Sequence, residues 1–263
     1  RSTLFPYTTL FRSSTEMTRW RTRAALALVA VLALSVFCWP LLVAPGAGMT
    51  QASQGPLLFA LLLPLVLALV VSELSSKGLS PQTLAMLGVL SALGCLARPL
   101  GAGTAGLELT FVLIILGGRV YGTGFGFLLG NTTLLASALV TGGVGPWLPY
   151  QMLAAGFVGL GAGLLPRRPR GRLEVLIVCC YGGVSAFAYG WLMDLAFWPF
   201  TLGPGTEASY VPGAPLLDNL HHFVVFNVLT SMGWNLGRAV SNIVVLAIST
   251  RSEERRVGKE CRS

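Results

Sequence analysis

Long apolar runs broken by short polar stretches dominate the chain. Eight can be drawn, at roughly 24–43, 56–74, 82–97, 107–118, 122–140, 147–165, 173–196 and 220–247. A helix rises 1.5 Å per residue, so about 20 residues cross the roughly 30 Å hydrocarbon layer of a bilayer. The pattern therefore predicts an all-α integral membrane protein. The fourth run is too short to span alone, and is expected either to enter the membrane part-way or to lean on the glycine-rich stretch 117–130 that follows. The first two runs are almost pure Leu, Val and Ala and read as an accessory hairpin, residues 14–79 with their polar tail. A six-segment core, 80–248, begins at Ser80-Pro81, where serine suits a helix cap and proline the first helical position.

Composition strengthens this picture. Hydrophobic residues make up 54% of the 263 positions and charged ones 11%, against about 25% charged in soluble domains. The formal net charge is +8, yet all but two of the 18 cations are arginine, and apart from Arg238 they sit outside the apolar runs. That distribution is a topology signal rather than a nucleic-acid surface. Arg19, Arg21, Arg23, Lys77, Arg119, Arg167, Arg168, Arg170 and Arg172 fall on one side if every run crosses once. Both termini are then expected in the cytoplasm of a multi-pass cell-membrane protein, with the loop 197–219 outside.

Residues 1–13 and 251–263 resemble translated sequencing-adaptor read-through. They are set aside from the fold, and together they supply half of the net charge. Cys38, Cys95, Cys179 and Cys180 lie inside apolar runs without metal-ligand spacing, and read as small buried hydrophobes.

Several chemistries fail on spacing. Neither lysine stands in a phosphate-cradling loop, so any ATP would be hydrolysed by another chain. Gly122-Thr-Gly-Phe-Gly126 lies in a membrane run, where small residues serve close helix packing. An intramembrane hydrolase or an assembly scaffold is the alternative function. In the hydrolase, Ser185 would be nucleophile and His222 base, but their expected depths differ by several turns, whereas the two must come within about 3 Å. No resident cofactor or metal is called for.

Polar residues inside crossings are costly and mark function. Glu174 and Arg238 are expected near cytoplasmic ends, where their side chains snorkel to water. Asn131 stands within the fifth run. Glu108, Trp147, Tyr150, Gln151, Trp191, Asp194, Trp198, Asn219, His221 and His222 are expected to share the outer half. Aromatic walls with a few hydrogen-bonding groups suit a flat, polar organic ligand. These residues, without His221 and with Asn131 added, form the candidate binding set.

The run Gly117-Gly-Arg-Val-Tyr-Gly-Thr-Gly-Phe-Gly-Phe-Leu-Leu-Gly130, the loop Gly142-Gly-Val-Gly-Pro-Trp147 and the stretch Pro149-Tyr-Gln-Met-Leu-Ala-Ala-Gly156 resemble the substrate-binding S component of energy-coupling factor (ECF) vitamin transporters. The resemblance covers about 80–248. It implies a six-helix bundle that captures a vitamin from outside and delivers it through a transmembrane coupling subunit driven by two ATP-binding-cassette ATPases. It implies a docking face of small residues on the first core helix, which Gly88 and Ala92 match. It favours a vitamin over nickel or cobalt, since Met49-Thr-Gln lacks the histidine of a metal-binding N-terminus. A cobalamin-type molecule or a thiamine precursor is the expected cargo.

Overall fold

The computed structural model describes residues 31, 34–42, 54–76, 80–101, 104, 106–167, 171–201 and 205–260. Among them every regular element is a helix: α1 (Trp39–Leu42), α2 (Gln54–Ser76), α3 (Pro81–Leu100), α4 (Thr110–Tyr121), α5 (Thr123–Thr141), α6 (Leu148–Leu164), α7 (Arg172–Thr201), α8 (Leu216–Thr230) and α9 (Met232–Glu260). Of these, α3, α5 and α7 are long and apolar enough to cross a membrane; α4, α6 and residues 61–74 of α2 are shorter apolar helices.

The start of the core follows its sequence signal. The Ser80 hydroxyl accepts from the Thr83 amide at 3.2 Å, and Pro81 occupies the first turn of α3, where its missing N–H costs nothing. Further along, α4 has 12 residues, about 18 Å of helix. The chain reverses at Gly122, whose φ of 101° is open to glycine and strained for other residues. The short fourth run is thus followed directly by α5, which opens within the glycine-rich stretch.

Glycine also explains how closely α4, α5 and α6 approach. A Cβ on Gly126 would stand 2.2 Å from the Gly159 carbonyl oxygen, and one on Gly159 would stand 2.0 Å from that of Gly126. Gly118 meets the same Gly159 carbonyl, and Gly130 faces the backbone of Ala155. The three helices touch through their main chains, the contact that small residues permit in membranes. Ile114, Ile115, Leu128, Leu129, Met152 and Ala155 fill the surrounding core and are wholly buried. Leu62, Val66 and Val70 of α2 belong to the same core.

Three expectations need correction. The eighth run is not one segment: α8 ends at Thr230, Ser231 leaves helical geometry with φ −120°, and α9 begins afresh. The cue in the sequence is Thr-Ser-Met-Gly, a capping serine followed by glycine. Cys180 is exposed, whereas Cys95 and Cys179 are buried and Cys38 is half-buried. Arg238 does not sit at the end of the bundle that holds Glu174, but pairs with Glu108 at the opposite end. Residues 1–13 and half of the first run, 24–43, lie outside the described residues.

Candidate functional site

Two ends of the bundle carry its polar chemistry. At one, the Arg119 guanidinium donates to the Leu165 carbonyl at 3.0 Å and pairs with Glu174 at 2.9 Å. This joins the last turn of α4 to the first turn of α7, beside the loop 165–172. The other end gathers most of the candidate residues, in three linked groups.

The first group centres on Arg238. Because α9 starts only at Met232, this arginine lies two turns into a new helix, level with Ala186 and Tyr189 of the antiparallel α7. Its Nε donates to Glu108 at 2.6 Å. Its Nη1 donates to the Asn235 amide oxygen at 3.2 Å and reaches toward the Ala186 carbonyl at 3.5 Å. The guanidinium lies over the Tyr189 ring at 5.0 Å and the Phe111 ring at 5.6 Å, a favourable arrangement for a partly desolvated cation. One turn beyond Gly190, Asp194 accepts from the Asn227 amide at the foot of α8. Asn235 and Asn227 are almost completely buried, and each keeps one amide atom without a partner among the described residues.

The second group joins α3 to α6. Arg98 donates to the Gln151 amide oxygen at 2.9 Å. Tyr150, its neighbour in sequence, turns elsewhere: its ring stands edge-on between Phe37, at 5.3 Å, and Phe197, at 5.2 Å. The Tyr150 hydroxyl is buried and has no hydrogen-bond partner among the described residues.

The third group is a small apolar cap of Leu195, Trp198, Ala208, Tyr210, Phe223 and Phe226. Trp198 is wholly buried, and its indole N–H donates to the Ala208 carbonyl at 2.6 Å. The Tyr210 hydroxyl donates to the Pro40 carbonyl at 3.0 Å, and burial raises its pKa above the ordinary tyrosine value, so it remains a donor. Asn219 clamps the loop by accepting from the Val211 amide and donating to its carbonyl. His222 contacts the Glu207 carbonyl. Trp191 leans edge-on against Phe223 while remaining 40% exposed.

Some candidates stand apart. Asn131 is wholly buried midway along α5, where its amide donates to the Phe127 carbonyl at 2.8 Å and lies against Gly156. Trp147 is 44% exposed and folds back on its own loop, donating to the Gly143 carbonyl. Trp147, Tyr150 and Gln151 thus face three directions rather than one. Ser185 donates to the Gly182 carbonyl within α7, nine residues and about 14 Å below Asp194; nothing brings it to His222. Arg238 and Asn235 stand out in the sequence as polar residues inside an apolar run but fall outside the candidate binding set, and Arg98 and Tyr189 carry no sequence signal for this site. The offset introduced by the break at Ser231 hid the depth of the first two.

Apolar helices packed through glycine, with charged and amide side chains collected at one end beneath an aromatic cap, make this an integral membrane bundle. A family model described as the ECF transporter substrate-specific component matches residues 82–249. The chain belongs to this family, and is a substrate-specific subunit of an ECF transporter. The matched stretch opens in the first turn of α3 and closes in α9, leaving α1 and α2 outside it. No curated protein and no solved structure matches the chain.

Proposed function

We propose that this subunit captures a vitamin or vitamin precursor at the end of the bundle that holds Arg98, Glu108, Asp194 and Arg238, with that end outside the cell and both termini in the cytoplasm. Membership of the S-component family carries the reading. The polar end supports it: Glu108, Tyr150, Gln151, Asp194 and Asn219 lie there among aromatic rings, with Trp198 buried in the cap, Trp147, Trp191 and His222 around the rim, and Asn131 deeper in the bundle. Carboxylate, guanidinium and amide groups beside aromatic faces suit a flat, polar organic molecule. A cobalamin-type molecule or a thiamine precursor is the proposed cargo.

Delivery then requires partners: a transmembrane coupling subunit and two ATP-binding-cassette ATPases that hydrolyse ATP. For docking we propose the outward face of α3. Ser91 turns inward to the Thr132 hydroxyl at 2.7 Å, whereas Gly88 and Ala92 are exposed and a Cβ on Gly88 would meet no atom within 4 Å.

The test is mass spectrometry, with a visible absorption spectrum, of the small molecule that co-purifies with the protein in detergent. A corrin, or a pyrimidine or thiazole of thiamine type, in near-stoichiometric amount is the expected result. An empty protein that also ignores a vitamin panel in thermal-shift assays refutes the vitamin reading.

A further inference from the structure

Residues 37–41, which include most of α1, belong to no part of the matched family region, yet they are built into its polar end. Phe37 is wholly buried, with its ring edge-on to Tyr150 of α6. Trp39 donates its indole N–H to the Ala196 carbonyl at 3.2 Å, and its ring lies 5.6 Å from that of Phe200. The Pro40 carbonyl accepts from Tyr210, and Cys38 and Leu41 pack against the cap formed by Trp198, Tyr210 and Phe223. Five consecutive residues therefore touch α6, α7 and the loop 205–215.

One atom in this arrangement points to a ligand. The Tyr150 hydroxyl is buried with no hydrogen-bond partner among the described residues, a costly state for a polar group in an apolar setting. The rings of Phe37 and Phe197 hold the phenol from two sides, so its hydroxyl is oriented in advance rather than free to seek another acceptor.

We infer that residues 37–41 form a wall of the substrate site, in which Phe37 positions Tyr150 so that its hydroxyl donates to an acceptor on the substrate, a ring nitrogen or an amide carbonyl. This rests on the capture function proposed above. In it Tyr150 is the substrate contact and Phe37 is a positioning residue. Trp39 and Pro40 anchor the wall to α7 and to the loop.

The experiment uses the full chain in lipid nanodiscs, with cyanocobalamin, thiamine and hydroxymethylpyrimidine as probes. Tyr150→Phe is expected to weaken binding of the accepted probe about tenfold, the value of one buried hydrogen bond, and Phe37→Ala several-fold. In the Tyr150→Phe background, Phe37→Ala should cost less than about twofold more, because the group it orients is already gone. Wild-type affinity in Phe37→Ala, or losses that multiply in the double variant, overturns the inference.

A second measurement needs no substrate. With the other cysteines replaced by serine, Cys38 should react slowly with a maleimide, and much faster once Phe37→Ala and Trp39→Ala loosen the segment. Reaction of Cys38 in the otherwise native chain at the rate of the denatured chain overturns the wall. If none of these probes binds the wild type, the cobalamin-or-thiamine cargo fails, and the packing of the wall is decided by Cys38 alone.

Discussion

Arg238 shows how a single side chain can organise one end of a membrane bundle. Its pairing with Glu108 ties α9 to the start of α4, and its stacking on Tyr189 and Phe111 adds α7 and the first turn of α4. Removing one partner strands the other charge in a largely buried setting, at a cost of about 3–5 kcal/mol. Arg238→Ala and Glu108→Ala should each lower the thermal midpoint in detergent sharply, whereas the double change Glu108→Leu with Arg238→Leu should recover much of it. A double variant as unstable as the single ones would show that packing, not charge, holds the site. The sequence announced Glu108 and Asp194, because acidic residues in apolar runs are conspicuous. It did not place Arg238 beside them. Position along a run translates into depth only when the helix is continuous, and here Ser231 interrupts it.

At the scale of elements, the second to seventh apolar runs each correspond to one helix, the eighth divides into two, and the serine and proline at 80–81 mark a helix start. What the pattern left unspecified was direction: small residues at 88, 91, 92 and 95 look alike in sequence, but only the structure turns Ser91 and Cys95 inward and Gly88 and Ala92 outward. That division separates folding from docking. Gly88→Leu, at an exposed position where a Cβ meets no atom within 4 Å, should leave the thermal midpoint and ligand affinity unchanged and lower uptake at least tenfold in a reconstituted transporter. Equal uptake by variant and wild type would move the docking surface elsewhere. Gly159→Ala should behave oppositely, with a lowered midpoint before any effect on partners, because its Cβ has no room beside the Gly126 carbonyl.

For the whole molecule, the arginine count placed Arg119 and the loop 167–172 on one side, and the structure joins Arg119 to the neighbours of that loop. The proposed sidedness is checked with single cysteines in the cysteine-free chain. Thr206→Cys should react with a membrane-impermeant maleimide added to intact cells, and Arg168→Cys only after permeabilisation. The reversed pattern would invert the topology. Candidate residues such as Trp147 and Asn131 were legible as polar or aromatic outliers, but their separation from the Arg238 group depends on rotation about helix axes, which no spacing rule fixes for a bundle with several glycine-lined faces. Those glycines also have a genetic consequence. Defects in side-chain packing are commonly rescued by shrinking the residue opposite, yet Gly118, Gly126 and Gly159 meet main chain to main chain, and the facing position has no side chain to give up. Selection for revertants of Gly159→Ala should therefore return glycine at 159 itself, and compensating changes at 118 or 126 should not arise.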